Sequence, residues 1–127
     1  MKGEAGDILI GKVILVAEDE YMVAEDVRDA IEHVGAWVVG PTASVTGALA
    51  LIEDATRIDA ALLDVNLGGE LVYPVADRLT AAAVPFVFTT GYDRRLLPER
   101  FASTPRCEKP ITVRAVVEAL RGVMAGR

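Results

Sequence analysis

The sequence predicts an α/β domain built on a doubly wound, parallel five-stranded sheet. Short apolar runs alternate along its 127 residues with segments in which apolar residues recur at helical spacing. The runs are continuously apolar, as is typical of parallel strands that are covered by helices on both faces. A chain of this length, 52% hydrophobic and 25% charged, is expected to form one compact domain.

The first half of the chain contains two strand–helix units. An apolar run at 13–17 predicts the first strand, and apolar residues at helical spacing over 23–34 predict the helix that follows it. A second short run, at 37–39, and a second helical stripe, over 45–52, repeat the pattern. This alternation favours parallel pairing of the strands with right-handed crossovers.

The second half continues the alternation, with one irregular segment. A buried strand is predicted at 58–63, a helix at 72–79, and a strand of β-branched and aromatic residues at 85–89. The stretch 91–105 contains two prolines that cut any helix short. The last two elements are a short strand at about 104–108 and an amphipathic helix at 113–120.

The composition excludes several classes of protein. Cys107 and His33 are the chain's only cysteine and histidine, so neither a disulfide framework nor a zinc site is expected. The formal net charge of -6 disfavours a DNA-binding surface. No apolar stretch approaches the ~20 residues of a membrane span, and the first residues do not resemble a signal peptide. We therefore expect a cytoplasmic protein with neither a DNA nor a membrane partner.

Polar residues follow the predicted strands where they end. They are Glu18 and Asp19 after the first strand, Asp64 after the third, Thr90 and Gly91 after the fourth, and Lys109 after the fifth. In open parallel sheets, ligands bind at the carboxyl ends of the strands, where the winding changes direction. We therefore expect these side chains to form one site.

The expected site has the chemistry of a cation and phosphoryl centre. Three carboxylates in one place repel one another unless a cation lies among them. Oxygen ligands favour Mg²⁺, with Mn²⁺ as an alternative, over zinc. A lysine and a hydroxyl opposite the metal suit a phosphoryl group. Asp64, on rigid backbone at the end of a buried strand, is interpreted as both metal ligand and nucleophile.

Four motifs, in order and at the strand ends, support a more specific interpretation. They are VAEDE, LLDVNL, FTTGYD and CEKP. Together they resemble the receiver domain of bacterial two-component response regulators, and FTTGYD is similar to the Phe-Ala-Thr-Gly-Tyr type of a stand-alone subgroup. The resemblance implies a flavodoxin-like (βα)5 fold with strand order 2-1-3-4-5. Residues 1–11 would be an N-terminal tail and residues 12–127 a single receiver domain.

The resemblance also implies roles for individual residues. Asp64 would accept a phosphoryl group from a phosphohistidine of a sensor kinase. Glu18 and Asp19 would be the acidic pair, with Asp19 binding Mg²⁺ directly. Asn66 matches the position that offers its backbone carbonyl to the metal. The remaining two positions are Thr90, whose hydroxyl would follow the phosphoryl group, and Lys109, which would pair with it.

One position departs from the family pattern. Three residues before the lysine, the family usually has an aromatic residue that swings inward on activation, whereas this chain has Arg106. Tyr92 is the nearest aromatic that could replace it. We therefore expect an order–disorder switch, in which phosphorylation draws in Thr90, fixes Gly91 and orders the segment 91–104.

Two alternative functions remain open. A haloacid dehalogenase-like phosphatase also combines Asp, Thr, Lys and Mg²⁺, but that family has a second Asp where this chain has Asn66. A pseudo-receiver would bind partners without phosphorylation. A receiver without an output domain acts by docking, so the expected partners are a sensor histidine kinase, a phosphotransferase or a second copy of the chain.

Overall fold

The computed structural model describes residues 6–91 and 97–126. The strands are β1 (Val13–Ala17), β2 (Trp37–Thr42), β3 (Ala60–Asp64), β4 (Asn66–Leu67), β5 (Glu70–Leu71), β6 (Phe86–Thr90) and β7 (Arg106–Glu108). The α-helices are α1 (Tyr21–His33), α2 (Val45–Asp54), α3 (Tyr73–Ala81) and α4 (Val113–Ala125), and Glu99–Phe101 form a 3-10 turn.

Five of the strands form the predicted parallel sheet. Its order is β2-β1-β3-β6-β7, and every neighbouring pair is parallel. Because β4 and β5 form a separate antiparallel hairpin, this order is the predicted 2-1-3-4-5 once the hairpin is left out of the numbering. The flavodoxin-like fold is therefore confirmed.

Two apolar clusters cover the two faces of the sheet. The first lies beneath α2 and α3 and includes Leu63, Phe88 and Phe101. The second lies beneath α1 and α4 and includes Val16 and Leu120. Burial on both faces explains the apolar runs of the three central strands, β1, β3 and β6. Within the described ranges, no helix combines the length and apolarity that crossing a membrane requires.

The described part of the predicted N-terminal tail packs against the domain. Leu9 is fully buried in the cluster beneath α1 and α4. Asp7 binds Arg121 of α4, with 2.7 Å between Oδ2 and Nη2, and the amide of Gly11 donates to the carbonyl of Gly35 at 2.8 Å. This segment covers the end of the sheet at which the strands begin.

Candidate functional site

Three acidic side chains converge where β1 and β3 end. Glu18 and Asp19 follow β1, Asp64 is the last residue of β3, and these two strands are neighbours in the sheet. One carboxylate oxygen from each lies within 4.8 Å of the others. Glu18 and Asp64 are only 4% and 2% exposed, whereas Asp19 is exposed to solvent.

Lys109 brings a positive charge to this cluster. Its Nζ lies 2.7 Å from Oδ2 of Asp64. Lys109 directly follows β7, and its backbone amide donates to the carbonyl of Thr90 at 2.8 Å, which fixes the base of the side chain beside the end of β6. The Lys109–Pro110 peptide bond is cis. Parallel strands that end together thus explain how a lysine 45 residues away in sequence pairs with Asp64.

One lysine does not fully compensate the buried acids. Burial, together with the nearby charge of Asp64, raises the pKa of Glu18 to about 7. Burial also raises the pKa of Asp64, although the hydrogen bond and charge of Lys109 oppose the change. Burial disfavours the charge on Lys109, but Asp64 outweighs it and raises the pKa of the ammonium group. The cluster therefore favours an additional cation.

Two hydroxyl groups lie near the end of β6 without partners. Within the described residues, Oγ1 of Thr89 and Oγ1 of Thr90 are buried and have no hydrogen-bond partner. Thr89 pairs with Asp64 in the sheet register, and Thr90 is the next residue, so Thr90 lies at the site edge. Buried hydroxyls normally have a partner, so an unpaired one at this edge fits a ligand that brings its own acceptor oxygens.

Asn66 connects the cluster to the hairpin. Its amide donates to Oδ1 of Asp64 at 3.1 Å, and its side-chain Oδ1 accepts from the amide of Gly69 at 2.9 Å. The amide of Gly68 reaches Oδ2 of Asp19 at 2.8 Å. The prediction from sequence missed this hairpin, although two adjacent glycines between strands are a recognised hairpin signal.

The predicted switch residues have different outcomes. Tyr92 lies outside the described residues. Gly91 is exposed directly after β6. Arg106 lies half-buried in β7, and its Nη2 donates to the carbonyl of Ala102 at 3.0 Å. Arg106 therefore tethers the chain ahead of β7 through a main-chain hydrogen bond.

Part of the segment expected to be irregular is already packed. Arg100 binds Asp77 of α3 through two hydrogen bonds of 2.9 Å. Phe101 is 3% exposed, and its ring stacks on Tyr73 at 5.6 Å between centroids. These contacts pack the turn Glu99–Phe101 against α3, and the expected ordering of 91–104 on phosphorylation stays a prediction.

The donor set fits a hard divalent cation. The three converging side chains offer only oxygen, which suits Mg²⁺ or Mn²⁺ and not a softer metal. Burial raises the pKa of Glu18 and that of Asp64, so a cation held here would stabilise their charged forms. A magnesium ion held here would supply that charge and leave coordination positions for phosphoryl oxygens.

Comparison with known proteins places this geometry in a family. No family model matches the chain. The solution structure of SdrG from Sphingomonas melonis Fr1 is 42% identical, with a TM-score of 0.77 over 91% of this chain and 98% of that one. The response regulator PhyR from Brucella abortus is 27% identical, with a TM-score of 0.82 over 96% of this chain and 52% of that one.

A curated relative also matches this chain over part of its own length. The phyllosphere-induced regulator PhyR of Methylorubrum extorquens is 33% identical over 97 residues, which are 75% of this chain and 34% of the relative. The chain thus spans about a third of that relative's length. The fold, the strand-end acids and lysine, and these similarities together lead to one conclusion: the chain belongs to the receiver domains of bacterial two-component response regulators.

Proposed function

We propose that this domain is a Mg²⁺-dependent phosphoacceptor that takes a phosphoryl group from a histidine kinase or phosphotransferase onto Asp64. The observation that carries the proposal is the ion pair between Lys109 and Asp64, 2.7 Å long, beside two further acids. Asp64 is buried at a rigid strand end, so its carboxylate is held in one orientation. Its partly compensated charge makes it the best-placed nucleophile of the cluster.

The reaction is a phosphoryl transfer between nitrogen and oxygen. A carboxylate oxygen of Asp64 forms a bond to phosphorus while the bond from phosphorus to the donor histidine nitrogen breaks, and the electron pair leaves with the imidazole. Glu18, Asp19, Asp64 and the backbone carbonyl of Asn66 would hold Mg²⁺, which would supply positive charge for the phosphoryl oxygens. Such transfers depend mainly on positioning and charge stabilisation.

Lys109 and Thr90 receive the product. Before transfer, Lys109 compensates Asp64; afterwards its ammonium group is free to pair with a phosphoryl oxygen. The buried, unpaired hydroxyl of Thr90 would then donate to another phosphoryl oxygen. Gly91 and Tyr92, which follow Thr90, would transmit its movement.

A cavity beside the site suits a docking partner. It has a volume of about 370 Å³ and is lined by residues of α1, by the segment 109–111, and by Glu20, Gly91 and Val113. Apolar Val23 and Ile111 lie beside acidic Glu20 and Asp26 in this lining. We propose that the domain acts in the cytoplasm, and that a sensor histidine kinase or phosphotransferase docks here to bring its phosphohistidine to Asp64. A second copy of the chain is a further proposed partner for the phosphorylated form.

The phosphatase alternative has less support. A haloacid dehalogenase-like mechanism needs an acid two residues after the nucleophile, and Asn66 occupies that position. Its side-chain oxygen accepts a hydrogen bond from Gly69, so it holds the turn of the hairpin. The pseudo-receiver alternative gives the Lys109–Asp64 pair no role in phosphorylation, and the experiment below distinguishes it from a phosphoacceptor.

Incubation with a small phosphodonor and Mg²⁺, followed by intact-mass measurement, tests the proposal. We expect one added phosphoryl group on the parent protein and none on Asp64→Asn. Asp54→Asn, an exposed carboxylate at the end of α2, is the matched control and should be phosphorylated like the parent. Rapid turnover of the donor without an adduct would favour the phosphatase, and no reaction at all would favour the pseudo-receiver.

A further inference from the structure

The hairpin of β4 and β5 is a fixed element beside the acidic cluster. Gly68 and Gly69 have φ angles of +57° and +93°, as in a type I′ turn, whose twist matches that of the two strands it connects. Leu67 is 1% exposed and Val72 is fully buried, so both ends of the hairpin are anchored in the core. The amide of Val72 also donates to the carbonyl of Val65 at 2.9 Å, which closes the base of the hairpin.

The hairpin donates two backbone hydrogen bonds to the cluster. Gly68 donates to Oδ2 of Asp19 at 2.8 Å, although the two residues are 49 apart in sequence. Asn66 donates to Oδ1 of Asp64 at 3.1 Å. A turn that only connected β3 to α3 would not need a hydrogen bond from its tip to Asp19. The hairpin is thus built against two of the three acids.

We infer that the hairpin is a positioning element for the metal site, in which the amide of Gly68 orients the carboxylate of Asp19 before a cation binds. This inference rests on the proposed function. Asp19 is the exposed acid of the cluster, so without this bond its side chain would lose more rotamer freedom on binding a cation. A carboxylate oxygen has lone pairs to spare, so the hydrogen bond leaves Asp19 able to act as a ligand.

A strained turn tests the inference. Gly69→Val places a β-branched residue at a φ of +93°, where its Cβ meets no atom within 4 Å, so the penalty lies in the backbone alone. The turn should open and withdraw the amide of Gly68 from Asp19. Gly11→Val is a matched control, because Gly11 also has a positive φ of +74° and open space, but lies ahead of β1 at the opposite edge of the sheet.

Mg²⁺ affinity, measured by isothermal titration calorimetry, is the main readout. The loss of a bond that orients a metal ligand typically weakens affinity by about 10–100-fold. We expect about tenfold weaker binding by Gly69→Val, and parent affinity for Gly11→Val. Gly69→Asn should retain more affinity than Gly69→Val, because Asn tolerates the left-handed region better, and it decides the matter if the valine variant does not fold. The amide resonance of Gly68 in NMR spectra reports whether the turn has moved.

The outcomes distinguish this inference from the proposed function. If the parent does not bind Mg²⁺, the proposed function fails and the inference fails with it. If the parent binds Mg²⁺ and a variant with a displaced Gly68 amide binds it equally well, the inference alone fails. An equal loss of affinity in Gly11→Val would also overturn the inference, because backbone strain anywhere would then suffice.

Discussion

The buried carboxylate of Asp7, near the beginnings of the strands, accepts several hydrogen bonds. Glu18 and Asp64, at the opposite ends of the strands, share the charge of Lys109. The side chain of Asp7 is 7% exposed, and its oxygens accept from Arg121 and from the amide of Leu9. Arg121 lowers the pKa of Asp7, while burial raises that of Glu18 and that of Asp64. Among the described residues, the same chemical group is thus paired where the strands begin and left short of positive charge where they end.

This difference separates carboxylates that stabilise the fold from those available to a ligand. A buried acid with a full set of donors contributes stability, whereas a buried acid without them costs stability until a cation arrives. Proteins commonly tolerate such a cost at functional sites. The contrast between Asp7 and Glu18 can therefore be tested by stability measurements alone, in metal-free buffer.

The largest effect is expected for Lys109→Met. Removing the lysine leaves Asp64 buried and uncompensated, and breaking a buried pair by removing one partner costs about 3 kcal/mol or more. The loss should be greatest at about pH 8 and smaller at about pH 5, where protonation of the carboxylates costs less. Urea unfolding at both pH values measures it. A loss that is equal at both would mean that Lys109 stabilises by packing and not by charge.

Next in size is the loss expected for Asp7→Ala at the opposite edge. Hydrogen bonds to charged groups contribute about 2 kcal/mol, so we expect a loss of about that size near neutral pH. Because its folded pKa is lowered, Asp7 stabilises above its unfolded pKa of 3.8, and this contribution is lost as the pH falls through the folded value. The loss in the variant should therefore shrink in acid, but only near and below this unfolded pKa, whereas the loss for Lys109→Met already shrinks between about pH 8 and pH 5. Asp54→Ala is the exposed control, and an equal loss there would contradict the argument.

A third prediction concerns the pH profile of the parent protein. The pKa of Glu18 is raised from 4.5 to about 7, so the folded protein binds more protons than the unfolded chain between these values. Stability should therefore fall as the pH rises across this window, by up to about 1.4 kcal/mol per pH unit for one proton. Glu18→Gln should flatten this part of the profile in urea unfolding with a chelator present. A variant profile as steep as the parent's would assign the slope to another group.

Much of this comparison could be predicted from the sequence, because parallel strands make distant residues meet. Apolar runs predicted four of the five strands of the sheet, and the polar residues that follow the strands identified Glu18, Asp64 and Lys109 as neighbours. What the pattern could not provide was the balance of charge, because the pKa of each acid depends on distances of a few ångströms.

Other contacts have little or no periodic signal in the sequence. Strands of two residues, as in the hairpin, are too short for alternation to be recognised. Asp7 and Arg121 are 114 residues apart and belong to no shared motif. Phe101 lies in a segment with two prolines, which favoured an irregular interpretation, but its ring is large enough to anchor the turn in the aromatic cluster. Tertiary packing, and not the local sequence pattern, determines the structure of these segments.

The smallest effect is expected for Arg57→Ala, which tests whether burial matters more than the number of charges. Arg57 pairs with Asp59 at 2.8 Å between Nε and Oδ2, but its side chain is 53% exposed. The same Oδ2 also accepts from the amide of Val13 at 2.8 Å, and this bond remains in the variant. Exposed pairs contribute little, so the loss should be about 0.5 kcal/mol or less, and smaller still in high salt. Urea unfolding at low and high ionic strength measures both. A loss as large as that of Asp7→Ala would mean that the exposed guanidinium of Arg57 stabilises the fold as strongly as the pair of Asp7 and Arg121. The contrast between the beginnings and the ends of the strands would then reflect the number of cations rather than the burial of the acids.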